Sequence, residues 1–96
     1  NGKREMVRAK IDTGADGSSI DRVLAEELGL LEPDNILYYD YFRNANGSKK
    51  REIVGVTFIM AGRKMRTQIS VADRSRLRTK MLVGRRDLKQ FAVVVG

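Results

Sequence analysis

The chain has 96 residues, enough for one domain that buries roughly 60–65% of its unfolded surface and is marginal as a monomer. It contains neither cysteine nor histidine, which excludes a disulfide framework, thiolate chemistry and Ser–His or Cys–His catalysis, and leaves magnesium or calcium better suited than zinc to any metal site. Nineteen Lys and Arg against twelve Asp and Glu give a formal charge of +7, a field that attracts acidic partners.

No apolar run approaches the ~18 residues of a membrane-spanning helix, no secretory signal is visible, and the expected compartment is the cytoplasm. A start at Asn1 rather than Met is read as a trimmed chain. In chain order, Val7 to Ile11 alternates apolar and polar residues and predicts a half-buried strand. Asp12-Thr13-Gly14-Ala15 follows it as a turn of small residues, with Gly14 free to bring backbone N–H groups toward the carboxylate. Ile20, Val23, Leu24 and Leu28 then share one helical face, Ser18-Ser19 precede it as caps, and Gly29 and Pro33 stop it.

Beyond Ile36 the pattern turns to strands. Ile36 to Phe42 is aromatic, and Tyr38, Tyr39, Tyr41 and Phe42 are expected to serve strand packing and dimer contact. Asn46-Gly47 is the strongest hairpin signal, followed by an apolar strand over Glu52 to Met60, a turn at Gly62, and an alternating strand over Met65 to Val71. A charged loop from Asp73 to Lys80, expected to be solvated, leads into Met81-Leu82-Val83-Gly84. A short helix near Arg85 to Lys89 and a last strand over 91–95 complete a mostly β, barrel-like domain.

Two of these segments carry chemistry together. The Asp12-Thr13-Gly14-Ala15-Asp16 turn and the later Met81-Leu82-Val83-Gly84-Arg85 segment, in that order, resemble the retropepsin-like aspartic proteases. Asp73 to Arg85 further resembles a prokaryotic branch labelled "ATP-dependent zinc protease" and associated with glutamate ligases that modify ribosomal proteins. The similarity runs from about Arg8 to Val95. The residues do not carry that label's chemistry: zinc ligands are missing, and no glycine-rich Lys-Ser/Thr loop is present to hold ATP. No cofactor and no metal are expected.

The resemblance implies a retropepsin-like lobe spanning residues 1–96, a closed β-barrel-like sheet with one helix inserted after the Asp-Thr-Gly-Ala turn and a short C-terminal helix. It implies an aspartic endopeptidase that works as a homodimer, because one chain offers one such turn and the chemistry needs two carboxylates sharing a proton. Asp12 is the catalytic residue in that reading. Thr13, Gly14 and Ala15 shape its turn, Thr13 bonds across the two-fold axis, Asp16 and Arg85 pair as a brace, and Gly84 opens the helix. The hairpin over about 39–54 takes the place of the flap, its tip carrying Asn44, Asn46, Gly47 and Ser48 beside Lys49 and Lys50. Basic residues there, with Arg74, Arg76, Arg78 and Arg86, favour acidic or glutamate-rich peptides as substrates. The competing readings are a catalytically silent dimerisation or binding module and a basic nucleic-acid-binding domain; no recognition motif supports specific nucleic-acid binding.

Overall fold

The computed structural model describes residues 3–91, so the strand expected over 91–95 falls outside the described residues beyond Phe91. Among the described residues six strands form one sheet: β1 (Ala9–Ile11), β2 (Ser19–Asp21), β3 (Ile36–Asn44), β4 (Gly47–Met60), β5 (Arg63–Ala72) and β6 (Met81–Val83). Their spatial order is β1-β6-β2-β5-β4-β3. β1 runs parallel to β6 and β2 parallel to β5, while β6 with β2, β5 with β4 and β4 with β3 are antiparallel.

Among the described residues the sheet is open, which corrects the closed barrel. Closure requires the two edge strands to pair at a consistent tilt and stagger. Here β1 and β3 stand at opposite ends of the order, and β1, β2 and β6 are only three residues each, too short to build a barrel wall against the long β3–β4–β5 meander. That meander is closed at one end by Ala61-Gly62, both at positive φ (51° and 75°), as a two-residue hairpin turn between Met60 and Arg63 demands. At its other end the turn falls one residue earlier than the Asn-Gly signal implies: Ala45-Asn46 form the loop, and Gly47 already pairs with Asn44.

The inserted helix is α1 (Arg22–Glu27), shorter at its start than the expected Ile20 to Leu28. Ile20 fits a helical face and a strand equally well, and pairing decides the matter: it lies in β2 between Met81 and Val71, nearly fully buried. Ser18 and Ser19 therefore cap nothing. Asp21 takes the cap position without a side-chain cap bond, its carboxylate accepting instead the Arg74 N–H at 2.8 Å. The helix ends as expected at Gly29, whose φ of 74° only glycine adopts at low cost. The Leu30 N–H bonds Ala25 O and the Gly29 N–H bonds Glu26 O, the paired closure of a Schellman motif.

Leu24 and Ala25 of α1 pack with Ile20, Val54, Val56, Ile69, Val71, Met81 and Val83 to form the core. The adjacent Ile53 and Val54 of β4 are both buried although they point to opposite faces, and beside them the pairing with β3 shifts register between Ile36 and Tyr38. Ile36 of the aromatic strand packs against the core, but its tyrosines do not enter it: Tyr38, Tyr39 and Tyr41 are 47%, 46% and 68% exposed in the single chain. The Asp73 to Lys80 loop is not wholly solvated either. Arg74 is buried, its guanidinium donating to Thr79 O at 3.0 Å and Thr79 Oγ1 at 3.1 Å, which takes it out of direct contact with a ligand.

Candidate active site

Asp12 stands where β1 ends. Its N–H continues the β1–β6 ladder by donating to Val83 O at 3.0 Å, so the main chain of the acid is fixed by the sheet itself. The chain then reverses within three residues: the Gly14 N–H donates to Asp12 Oδ1 at 2.9 Å and the Ala15 N–H to Asp12 O at 3.2 Å. A Cβ at Gly14 would lie 3.2 Å from Asp12 Oδ1, so the glycine keeps space against the carboxylate. A carboxylate that accepts a backbone N–H in a turn is oriented before any ligand arrives.

The next peptides of the loop dock on α2 (Arg85–Leu88). The first N–H groups of a helix have no partner inside it. Here the Arg85 N–H donates to Ala15 O at 2.8 Å and the Arg86 N–H to Asp16 O at 3.0 Å. The Asp16 carboxylate returns to the same residues, 3.4 Å from Arg85 and 2.6 Å from Arg86. The hydrogen bond from Arg85 and the charge of Arg86 hold it below the ordinary Asp range, so the pairing persists into more acid solution than a free aspartate would allow. The expected Asp16–Arg85 contact is present, with Arg86 as the nearer partner. Arg86 is thereby engaged as well.

Beneath the turn lies a polar cluster that the sequence reading missed. Ser18 Oγ donates to Asp87 Oδ2 and accepts the Gly84 N–H at 3.0 Å, while Thr67 Oγ1 donates to Asp87 Oδ1 at 2.6 Å. Ser18, Gly84 and Asp87 are all buried. Three distant segments are thus joined under Asp12 by one carboxylate and two hydroxyls. The sequence around them carries little signal: Ser18 stands among Asp16, Gly17 and Ser19, and Asp87 follows Arg85 and Arg86, which is also how a cap or a surface position looks. Truncating Asp87 to Ala takes the acceptor from the buried Ser18 hydroxyl and from the part-buried Thr67 hydroxyl, at about 2–4 kcal/mol. Thermal unfolding followed by circular dichroism should show a Tm lower by roughly 10–20 °C. A shift of only a degree or two would show that the cluster braces nothing.

The geometry brings together Asp12, Thr13, Gly14, Ala15, Asp16, Gly84 and Arg85. An open groove of ≈ 330 Å³ beside them is lined by Thr13, Arg85, Leu88 and Lys89. The hairpin carrying Asn44, Asn46, Gly47 and Ser48 is separate: in the sheet order β6, β2 and β5 stand between β1 and the β4–β3 pair.

The fold has counterparts among solved structures. The solution structure of the simian foamy virus (mac) protease matches with a TM-score of 0.68 over 93% of this chain and 88% of that one, at 16% identity. The fold is retropepsin-like. The EIAV protease complexed with the inhibitor HBY-793 matches with a TM-score of 0.58 over 88% of this chain and 78% of that one, at 22% identity. No family model and no curated protein matches the chain. The retropepsin-like expectation is met at the level of fold, and the prokaryotic zinc-protease label receives no support from these comparisons.

Proposed function

We propose that this protein is an aspartic endopeptidase whose active unit is a two-fold homodimer, with one Asp12 from each copy at the axis. The observation that carries the reading is the Asp12 turn: a carboxylate at the end of a strand, its main chain bonded to Val83 and Oδ1 held by the Gly14 N–H, in a fold shared with viral proteases. Two such groups in contact cannot both ionise, so they share one proton and titrate as a unit. The ionised member takes a proton from water, and the protonated member polarises the scissile carbonyl. Among the described residues β1 is an edge strand, and Ile11, next to Asp12, is 52% exposed, which favours this end of the sheet as the place where a second copy docks.

The β3–β4 hairpin is the flap in this reading, closing over bound peptide and excluding water. Arg43, Lys49 and Lys50 on it are exposed. Their charge favours acidic peptides, and the resemblance to the glutamate-ligase-associated family makes a glutamate-rich peptide the substrate to test first. Cleavage of such a peptide should exceed that of an apolar one at low salt, and the advantage should shrink at high salt as surface charges are screened. Sedimentation under the same conditions should show the dimer wherever activity is found. Equal cleavage of the two peptides removes the acidic specificity, and an active monomer removes the shared-proton mechanism.

A further inference from the structure

Among the described residues the β3–β4 hairpin is joined to the rest of the sheet only at its root. β5 meets β4 from Ile53↔Ser70 onward, so from Gly47 to Glu52 strand β4 pairs with β3 alone, and β3 is an edge. A two-stranded ribbon is marginal in water by itself. Its lie therefore depends on what holds residues 52 and 39.

At that root Arg22, the first residue of α1, meets Glu52. Nη1 donates to Oε2 at 2.8 Å and Nη2 to Oε1 at 2.7 Å. The paired geometry fixes direction as well as distance. The Glu52 side chain is 18% exposed and that of Arg22 42%, so the fork is better shielded than an ordinary surface pair. Surrounding charges agree with it, Glu26 acting on Arg22 and Lys50 on Glu52. Lys50 Nζ also stands 4.4 Å over the ring of Tyr39, the cross-strand partner of Glu52. On the other side, α1 follows directly on β2, and β2 follows Ser18, which holds Gly84 and Asp87 beneath the Asp12 turn.

The geometry points to Arg22 and Glu52 as positioning residues that anchor the root of the hairpin to the frame of the Asp12 turn and so set how the hairpin lies over it. The last clause rests on the flap reading above; the anchor does not. Hydrogen exchange tests the anchor without any need for activity. Arg22→Met and Glu52→Gln should each speed exchange of the amides over 40–51 by about three- to fivefold, as expected for loss of a part-shielded pair. The double variant should be no faster than either single one, because the two act through each other. Amides over 65–71 in β5 should exchange as in the wild type, and Lys49→Ala, which removes a cation acting on exposed Asp73 instead, should leave the hairpin unchanged. Unaltered exchange over 40–51 in the single variants overturns the proposal. So do additive effects in the double variant, a uniform rise that includes β5, or an equal effect of Lys49→Ala. Where the wild type cleaves the glutamate-rich peptide, KM should rise three- to fivefold in the two variants with kcat held. Fast hairpin exchange in a chain without peptidase activity keeps the anchor and overturns the proteolytic reading alone.

Discussion

If the protein is the homodimeric aspartic peptidase proposed above, replacing Asp12 with Asn should lower its kcat by about 10²–10⁴-fold, the range a general acid–base group supplies. The substitution is nearly isosteric, and the amide oxygen can still accept the Gly14 N–H that meets Oδ1 at 2.9 Å in the wild type. The Asp12 N–H to Val83 O bond belongs to the backbone and survives too. Fold and assembly should therefore be retained while the group that must ionise is gone. In a homodimer both positions change at once, so no proton can be taken from water by either copy. KM should stay close to the wild-type value, since the loss falls on the transition state alone. Steady-state rates on the glutamate-rich peptide, with circular dichroism and sedimentation on the same preparations, separate this from misfolding. Activity retained in a folded Asp12→Asn dimer would take Asp12 out of the chemistry and the aspartic mechanism with it.

The parts of the site that could be read from the sequence are those made by neighbours in the chain. The Asp12 turn closes through bonds to Gly14 and Ala15, and Gly29 stops α1 through bonds two to five residues long; short-range geometry of this kind leaves its mark as glycine and small residues in order. The strands from Ile36 to Ala72 announce themselves by β-branched and aromatic residues, and their long meander followed. What could not be read depends on pairing at a distance. Ile20 satisfies a helical face as well as a strand, and only its position between β6 and β5 decides. Ser18, Thr67 and Asp87 lie in three separate segments, and nothing local in any of them says that the other two are near. Arg74 stands in a run of charge that resembles a solvated loop, yet Asp21 and Thr79 draw it inside. Closure of the sheet is illegible in the sequence for the same reason: whether two edges meet is a property of the whole assembly, with no residue to mark it.

Gly84 shows how tightly the two motifs are packed against each other, and its substitution should cost the most stability. A Cβ built there would lie 2.4 Å from Gly17 O, 2.7 Å from Gly17 C and 2.9 Å from Ala15 O. All three are backbone atoms, so no side chain can swing aside to make room. Backbone strain at residue 84 is not the cause, since its φ of −94° suits any residue. In Gly84→Ala the loop over 15–17 must instead move away from α2. That movement stretches Ala15 O from the Arg85 N–H and Ser18 Oγ from the Gly84 N–H, at 2.8 and 3.0 Å in the wild type. Overpacking of this kind costs about 1–3 kcal/mol, and each weakened bond adds about 0.5–1.5 kcal/mol. Against the roughly 5–15 kcal/mol that holds a domain of this size together, the expected drop in Tm is on the order of 10–25 °C. Gly17→Ala is the control: nothing lies within 4 Å of the Cβ it would add, and it should change stability by no more than about 0.5 kcal/mol. Urea titrations of the two variants beside the wild type check both statements. If Gly84→Ala unfolds at the same urea concentration as Gly17→Ala, the Gly84 segment and the Asp12 loop are not in the close contact on which the pre-set carboxylate depends.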